Sequence, residues 1–146
     1  MKIAIVYVSV HHKNTEKVVK AMAEMSGADL YDLTKNKDID LSSYDVVGLA
    51  SGIYASSMHK TLIKFIDSHN LPKKVFIVCT SGVTFINYAN KMKKQMEDKG
   101  YEVIGSFQIK GFNTFGPFAL IGGTGKGRPN DTDLNDAREF IKRIIM

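Results

Sequence analysis

Apolar residues come in two patterns along this chain: short unbroken runs, and stretches that recur every three or four positions. Ile3-Ala4-Ile5-Val6-Tyr7-Val8 is an unbroken run of strand length, the pattern of a strand covered on both faces. Residues 15–26 carry Val18, Val19, Met22 and Ala23 at helical spacing, and Gly27 stops that helix. Asp29-Leu30-Tyr31-Asp32-Leu33 alternates polar and apolar, as an edge strand does, and a polar loop runs from Thr34 to Ser43. Residues 44–50 predict a second buried strand, and 51–57 a loop. Met58, Leu62, Phe65, Ile66 and His69 then fall on one helical face. Val75 to Thr80 is a third buried run, and Ser81-Gly82 opens its loop. Phe85, Ala89, Met92 and Met96 mark a helix that ends at Gly100, and Tyr101 to Lys110 is the last strand. A glycine-rich loop spans Gly111 to Asp131; Leu134, Ala137, Ile141 and Ile144 give a closing helix capped by Asn130, Asp131 or Thr132.

Five strands thus alternate with amphipathic helices, with the 34–43 loop standing where one helix would be. Buried strands separated by such helices predict an α/β fold: a three-layer, doubly wound, five-stranded parallel sheet. No linker or repeat divides the chain, so residues 1–146 are expected to form a single domain.

Composition narrows the function. No apolar run approaches a membrane span, and with the first strand beginning so early no signal peptide is expected. The single cysteine, Cys79, lies in an apolar run and reads as a buried small hydrophobe, which points to the cytoplasm. Twenty basic against 15 acidic residues leave a net charge of +5. The basic residues are scattered rather than set in a stripe with aromatics, so nucleic acid is not the expected ligand. The balance favours an anionic ligand or an acidic partner.

The candidate chemistry lies where strands end. After the first strand come Ser9, His11, His12, Lys13, Asn14 and Thr15. These supply hydroxyl and amide donors and positive charge just where a helix begins. A helix N-terminus presents free N–H groups and the positive end of its dipole, which suits a phosphate. Neither the dinucleotide nor the nucleoside-triphosphate glycine signature is present, so a terminal phosphomonoester is the better match. Asn14 or Thr15 would also cap the helix. Adjacent His11 and His12 are poorly placed to chelate one ion, and no metal site is expected. In an open α/β sheet, ligands bind beyond the carboxyl ends of the strands. There the phosphate loop meets Ser51-Gly52-Ile53-Tyr54 and Thr80-Ser81-Gly82. Small residues and an aromatic suit a flat ring tethered to a phosphate.

These residues carry a resemblance to the flavodoxin family. Ser9-x-His11-x-x-Asn14-Thr15-Glu16 is similar to its phosphate loop, whose usual form is Ser/Thr-x-Thr-Gly-Asn-Thr. Ser51-Gly52-Ile53-Tyr54 and Thr80-Ser81-Gly82 stand where that family's two ring-binding loops stand. The resemblance spans nearly the whole chain, and with no insertion in the last strand it resembles the short-chain flavodoxins. It implies strand order 2-1-3-4-5, noncovalently bound FMN, and low-potential electron transfer between redox partners. It implies that Ser9, His11, His12, Lys13, Asn14 and Thr15 hold the phosphate. Ser51, Gly52, Ile53, Tyr54, Thr80, Ser81 and Gly82 would surround the ring, with Tyr54 or a phenylalanine of the 112–118 stretch stacking on it. No side chain is expected to act as a catalytic acid, base or nucleophile. His11-His12-Lys13 replace the Thr-Gly region of the usual loop, and this chain is basic where typical flavodoxins are acidic, which implies partners with acidic docking surfaces. An alternative on the same fold is an FMN-dependent oxidoreductase, of quinone reductase or protoporphyrinogen oxidase type, with the 111–127 loop forming a substrate pocket. A cofactor-free binding module is a third. A phosphoacceptor receiver would need acidic residues where Ser9-Val10-His11 and Ala50-Ser51 stand.

Overall fold

The computed structural model describes residues 1–9, 13–54, 57–81, 87–110 and 128–146, with residues 54 and 110 by backbone only. In chain order the elements are β1 (Ile3–Val8), α1 (Asn14–Ser26), β2 (Asp29–Asp32), β3 (Val46–Tyr54), β4 (Ser57–Met58), α2 (Lys60–Ser68), β5 (Lys74–Ser81), α3 (Tyr88–Asp98), β6 (Glu102–Lys110) and α4 (Asp131–Ile145). Five strands lie parallel in the order β2-β1-β3-β5-β6. Counting only those five, this is the expected 2-1-3-4-5. The sixth, β4, is a two-residue strand antiparallel to the end of β3.

Strand alternation divides the core in two. Ala4, Val6 and Val8 of β1 and Val75, Ile77 and Cys79 of β5 pack on one side with Leu62, Phe65 and Ile66 of α2 and Met92 and Met96 of α3. Ile3, Ile5 and Tyr7 of β1 with Phe76 and Val78 of β5 face the other way, onto Val18, Val19 and Met22 of α1 and Ala137, Phe140 and Ile141 of α4. Two buried faces explain why β1 and β5 read as unbroken apolar runs. Gly48 of β3 is fixed by packing. A Cβ there would stand 2.4 Å from Phe76 Cζ, so the ring requires a bare backbone beside it. Gly27 ends α1 at a φ of 73°, its N–H bonding Ala23 O at 2.8 Å, as the sequence predicts.

Several boundaries differ from expectation. The predicted strand 44–50 begins at Val46, because Tyr44 is tied sideways: its hydroxyl donates to Asp29 at 2.7 Å and meets the Tyr31 hydroxyl at 2.5 Å. The predicted loop 51–57 is mostly strand. Ser51 and Gly52 lie between neighbouring strands, so their backbone groups continue the ladder rather than stay unpaired. Met58 belongs to β4 rather than to the helix, and its side chain still reaches the α2 side of the core. His59 is the N-cap of α2, its Nδ1 accepting from Thr61 N at 3.1 Å. His69 follows the helix and stacks on Phe65 with ring centroids 4.0 Å apart. The 34–43 segment forms no helix or strand: Asp32 at its edge, Asn36 and Asp40 each accept from a backbone N–H two residues on, while Ile39 and Leu41 are buried. Asn130 caps α4 through a capping box with Asp133. Phe85, expected at the start of the 85–96 helix, and the 111–127 stretch lie outside the described residues. Among the described residues no helix is long and apolar enough to cross a membrane.

Candidate functional site

Six polar or charged residues are buried among the described residues: Ser9, Thr15, Ser51, Thr80, Ser81 and Asp133. Five of them gather at one place, the carboxyl end of the sheet around β1, β3 and β5. The register explains the gathering. Val8 pairs with Ser51, Ser51 with Cys79, and Gly52 with Thr80, so three separate strand ends arrive at one level.

A hydroxyl is costly to bury without a hydrogen bond, and each of these has one. Ser9 Oγ accepts from Glu16 N at 3.0 Å. Thr15 Oγ1 and Thr80 Oγ1 are 2.9 Å apart, so the first turn of α1 is tied to the end of β5. Ser51 Oγ donates to Gly52 O at 2.7 Å and accepts from His59 N at 3.0 Å, fastening the end of β3 to the start of α2. Ser81 Oγ accepts from Gln108 Nε2 at 3.3 Å.

The helix start corrects one expectation. Neither Asn14 nor Thr15 caps α1. Lys13 occupies the N-cap position without a side-chain cap bond, and the hydroxyl of Ser9 takes over part of that role. Lys13 adopts φ 56° and ψ 32°, and it is the one non-glycine residue with positive φ among those described. Its Nζ donates back to Ser9 O at 3.3 Å. In the flavodoxin form of the loop the residue before Asn-Thr is glycine, which takes a left-handed conformation without strain. Lys13 holds the same shape at a steric cost and adds a positive charge. A left-handed backbone turn, a helix N-terminus and a lysine come together at the end of β1, all groups that favour negative charge.

Of the other sequence-predicted residues, Asn14 opens α1 beside Lys13, and Gly52, Ile53 and Tyr54 form the end of β3. His11, His12 and Gly82 lie outside the described residues. Cys79 is fully buried, and burial pushes its thiol up to about 12, so it stays protonated and unreactive at neutral pH. Among the described residues no group of three or more His, Cys, Asp or Glu side chains is arranged to hold a metal.

Sequence reasoning missed three groups. Gln108 of β6 reaches Ser81 and also accepts from Ala89 N at 3.0 Å. His59 contributes its backbone N–H to Ser51. Tyr7 donates to Glu16 Oε1 at 3.4 Å. Burial first, then the charges of Asp32 and Glu16 and the bond to Glu16, push the Tyr7 phenol up to about 12, so it remains a donor. Only the even spacing of polar residues at strand ends could have signalled Gln108.

The chain matches the family model described as a flavodoxin domain over residues 4–117. An uncharacterised protein of Methanocaldococcus jannaschii is 40% identical over 148 residues, spanning 99% of each chain. A flavodoxin from the domain Archaea has the same fold, with a TM-score of 0.71 at 16% identity over 97% of this chain and 95% of its own. A flavoprotein of Lactobacillus acidophilus NCFM in complex with FMN gives a TM-score of 0.55 at 18% identity over 73% and 92%. At such identities the two structures show the fold alone. The match across most of the sequence, carried by a sheet of the same strand order, shows that this chain belongs to the flavodoxin domain family.

Proposed function

We propose that this protein is a single-domain flavoprotein that binds FMN noncovalently and carries electrons between redox partners. One observation carries the reading: the buried hydroxyls cluster at the carboxyl ends of β1, β3 and β5, beside the N-terminus of α1. Hydroxyls gathered at one rim of the sheet place hydrogen-bonding groups where a ligand beyond the strand ends would meet them. The donor set suits the cofactor. A phosphate dianion is met by the α1 N-terminus, Lys13, Ser9, Asn14 and Thr15, together with His11 and His12. Ser51, Gly52, Ile53, Tyr54, Thr80, Ser81 and Gly82 are assigned to the ring.

FMN, when bound, supplies the electron-accepting and electron-donating chemistry. The chain's own residues bind and orient it. Thr80 bonds to Thr15 and also belongs to the ring set, so phosphate and ring are held in fixed relation. The net charge of +5 selects partners that present carboxylates, and the reading places the carrier in the cytoplasm.

The test is the visible spectrum of the purified protein titrated with FMN. A co-purifying flavin, or a shifted spectrum on addition, is expected, with affinity severely weakened when Asn14 and Thr15 are both replaced by alanine. An unchanged FMN spectrum overturns the cofactor assignment. Rapid turnover of a quinone by the reduced flavoprotein, without any protein partner, overturns the carrier assignment and leaves an oxidoreductase.

A further inference from the structure

We infer that the cleft between α2 and the segment after β2, rimmed by Lys37, Lys60 and Lys64, is where a partner protein docks its carboxylates. That this partner exchanges electrons with the protein rests on the flavin reading above; the cleft itself does not.

The three lysines share the cleft with the hydroxyl of Thr61 and with Phe65 and His69, whose rings stack 4.0 Å apart. No carboxylate lines it; Asp67, farther along α2, pairs with Lys99 at 2.7 Å instead. All three lysines are exposed, and among the described residues none has an ion-pair or hydrogen-bond partner. Stability gives no reason for this arrangement. Lys60 is the first residue of α2, whose first turn holds no acidic residue, and a cation there opposes the helix dipole. Lys64 stands one turn on, where two like charges repel. Lys37 brings a third positive charge from a separate segment, so the cluster is not the by-product of one polar helix face. Lys20, Lys99, Arg128 and Arg138, by contrast, each meet a carboxylate of this chain. An anion supplied from outside relieves all three charges together.

Size and position choose the occupant. The cleft measures about 170 Å³, below the roughly 300–1,000 Å³ of small-molecule pockets. It holds one or two side chains of a partner rather than a free metabolite. Nucleic acid calls for a longer stripe of cations than three lysines, whereas a few carboxylates on a protein surface match them in number and sign. The place suits a redox partner. His59, next to Lys60, gives its backbone N–H to Ser51 Oγ at 3.0 Å, so α2 starts at a candidate ring loop. A partner held at Lys60 and Lys64 stands beside the proposed flavin site.

The test titrates hexaglutamate into the isotope-labelled full chain, with and without FMN, and follows the backbone amide signals by NMR. The amides of Lys37, Lys60, Lys64 and His69 are expected to shift and saturate, and salt at about 0.5 M should abolish the shifts. The double variant Lys60→Glu, Lys64→Glu should weaken binding about tenfold, and Lys37→Glu should weaken it as well. The double variant Lys91→Glu, Lys94→Glu on α3 changes the net charge equally and should leave binding unchanged. Shifts centred elsewhere, equal losses in the two double variants, or no shift at all overturn the inference. Lys60→Glu alone should also raise the urea midpoint, because glutamate suits the start of a helix and pairs with Lys64 one turn on. A lowered midpoint gives Lys60 a structural role and overturns the inference. A thymidylate oligonucleotide that binds the same lysines more tightly than hexaglutamate overturns it in favour of nucleic acid. Hexaglutamate binding by a protein that takes up no FMN keeps the docking cleft and removes the redox role of its partner.

Discussion

Thr15 and Thr80 are 65 residues apart in sequence, yet their hydroxyl oxygens are 2.9 Å apart and both side chains are buried. One lies in the first turn of α1 and the other near the end of β5. The bond joins the candidate phosphate loop to the candidate ring loops.

Thr80→Val keeps the shape and removes the partner of a buried hydroxyl. The expected cost is about 1–3 kcal/mol of stability, read as a lower urea midpoint with an unchanged slope. The double variant Thr15→Val, Thr80→Val should cost less than the sum of the two single changes. Additive losses would show that the two hydroxyls do not stabilise each other.

Lys13 holds a left-handed backbone that costs a non-glycine residue about 1–2 kcal/mol. Glycine removes that strain but adds about 0.5–1 kcal/mol of unfolded-chain entropy. Lys13→Gly should therefore leave the urea midpoint unchanged or raise it slightly, whereas Lys13→Val should lower it clearly, since a β-branched residue tolerates this conformation least. FMN affinity of Lys13→Gly should fall and lose part of its salt dependence, because a positive charge has gone.

Asp133 is buried at the start of α4 and paired with Arg128, whose Nη2 donates to Oδ1 at 2.5 Å. Burial acts to raise the Asp133 pKa. The bonds from Arg128 and the Asn130 backbone, with the Arg128 charge, outweigh it and hold the carboxyl below the usual range. A carboxylate with a depressed folded pKa stabilises the protein above its unfolded value, and that contribution fades as pH falls below about 4. Asp133→Asn should cost about 2 kcal/mol at neutral pH, allowing for the partial exposure of Arg128. Lowering the pH from about 5 to about 3 should destabilise wild type more than the variant. Equal acid sensitivity in unfolding curves would remove Asp133 from the account.

Much of the polar cluster at the sheet's carboxyl end was legible because strand ends announce themselves. An apolar run that stops at Ser9, Ala50-Ser51 or Thr80-Ser81 marks a rim, and parallel topology brings such rims together. The end of β3 was not legible. Ser51 and Gly52 look like loop residues, and only the strands on either side make them part of the ladder. The same holds for Lys13, since local propensity gives no reason to expect a lysine in a glycine's conformation.

The sequence by itself determined the alternation of strands and helices, the doubly covered sheet and the end of the sheet where the polar residues collect. These follow from local periodicity, which each segment carries within its own residues. Tertiary structure alone decided that Thr15 meets Thr80, that Ser9 rather than Asn14 serves the start of α1, and that Gln108 reaches Ser81 and Ala89. Hydrogen bonds between distant segments depend on register and on helix placement over the sheet. Both are set when the two cores pack, and neither leaves a trace in the spacing of residues along the chain.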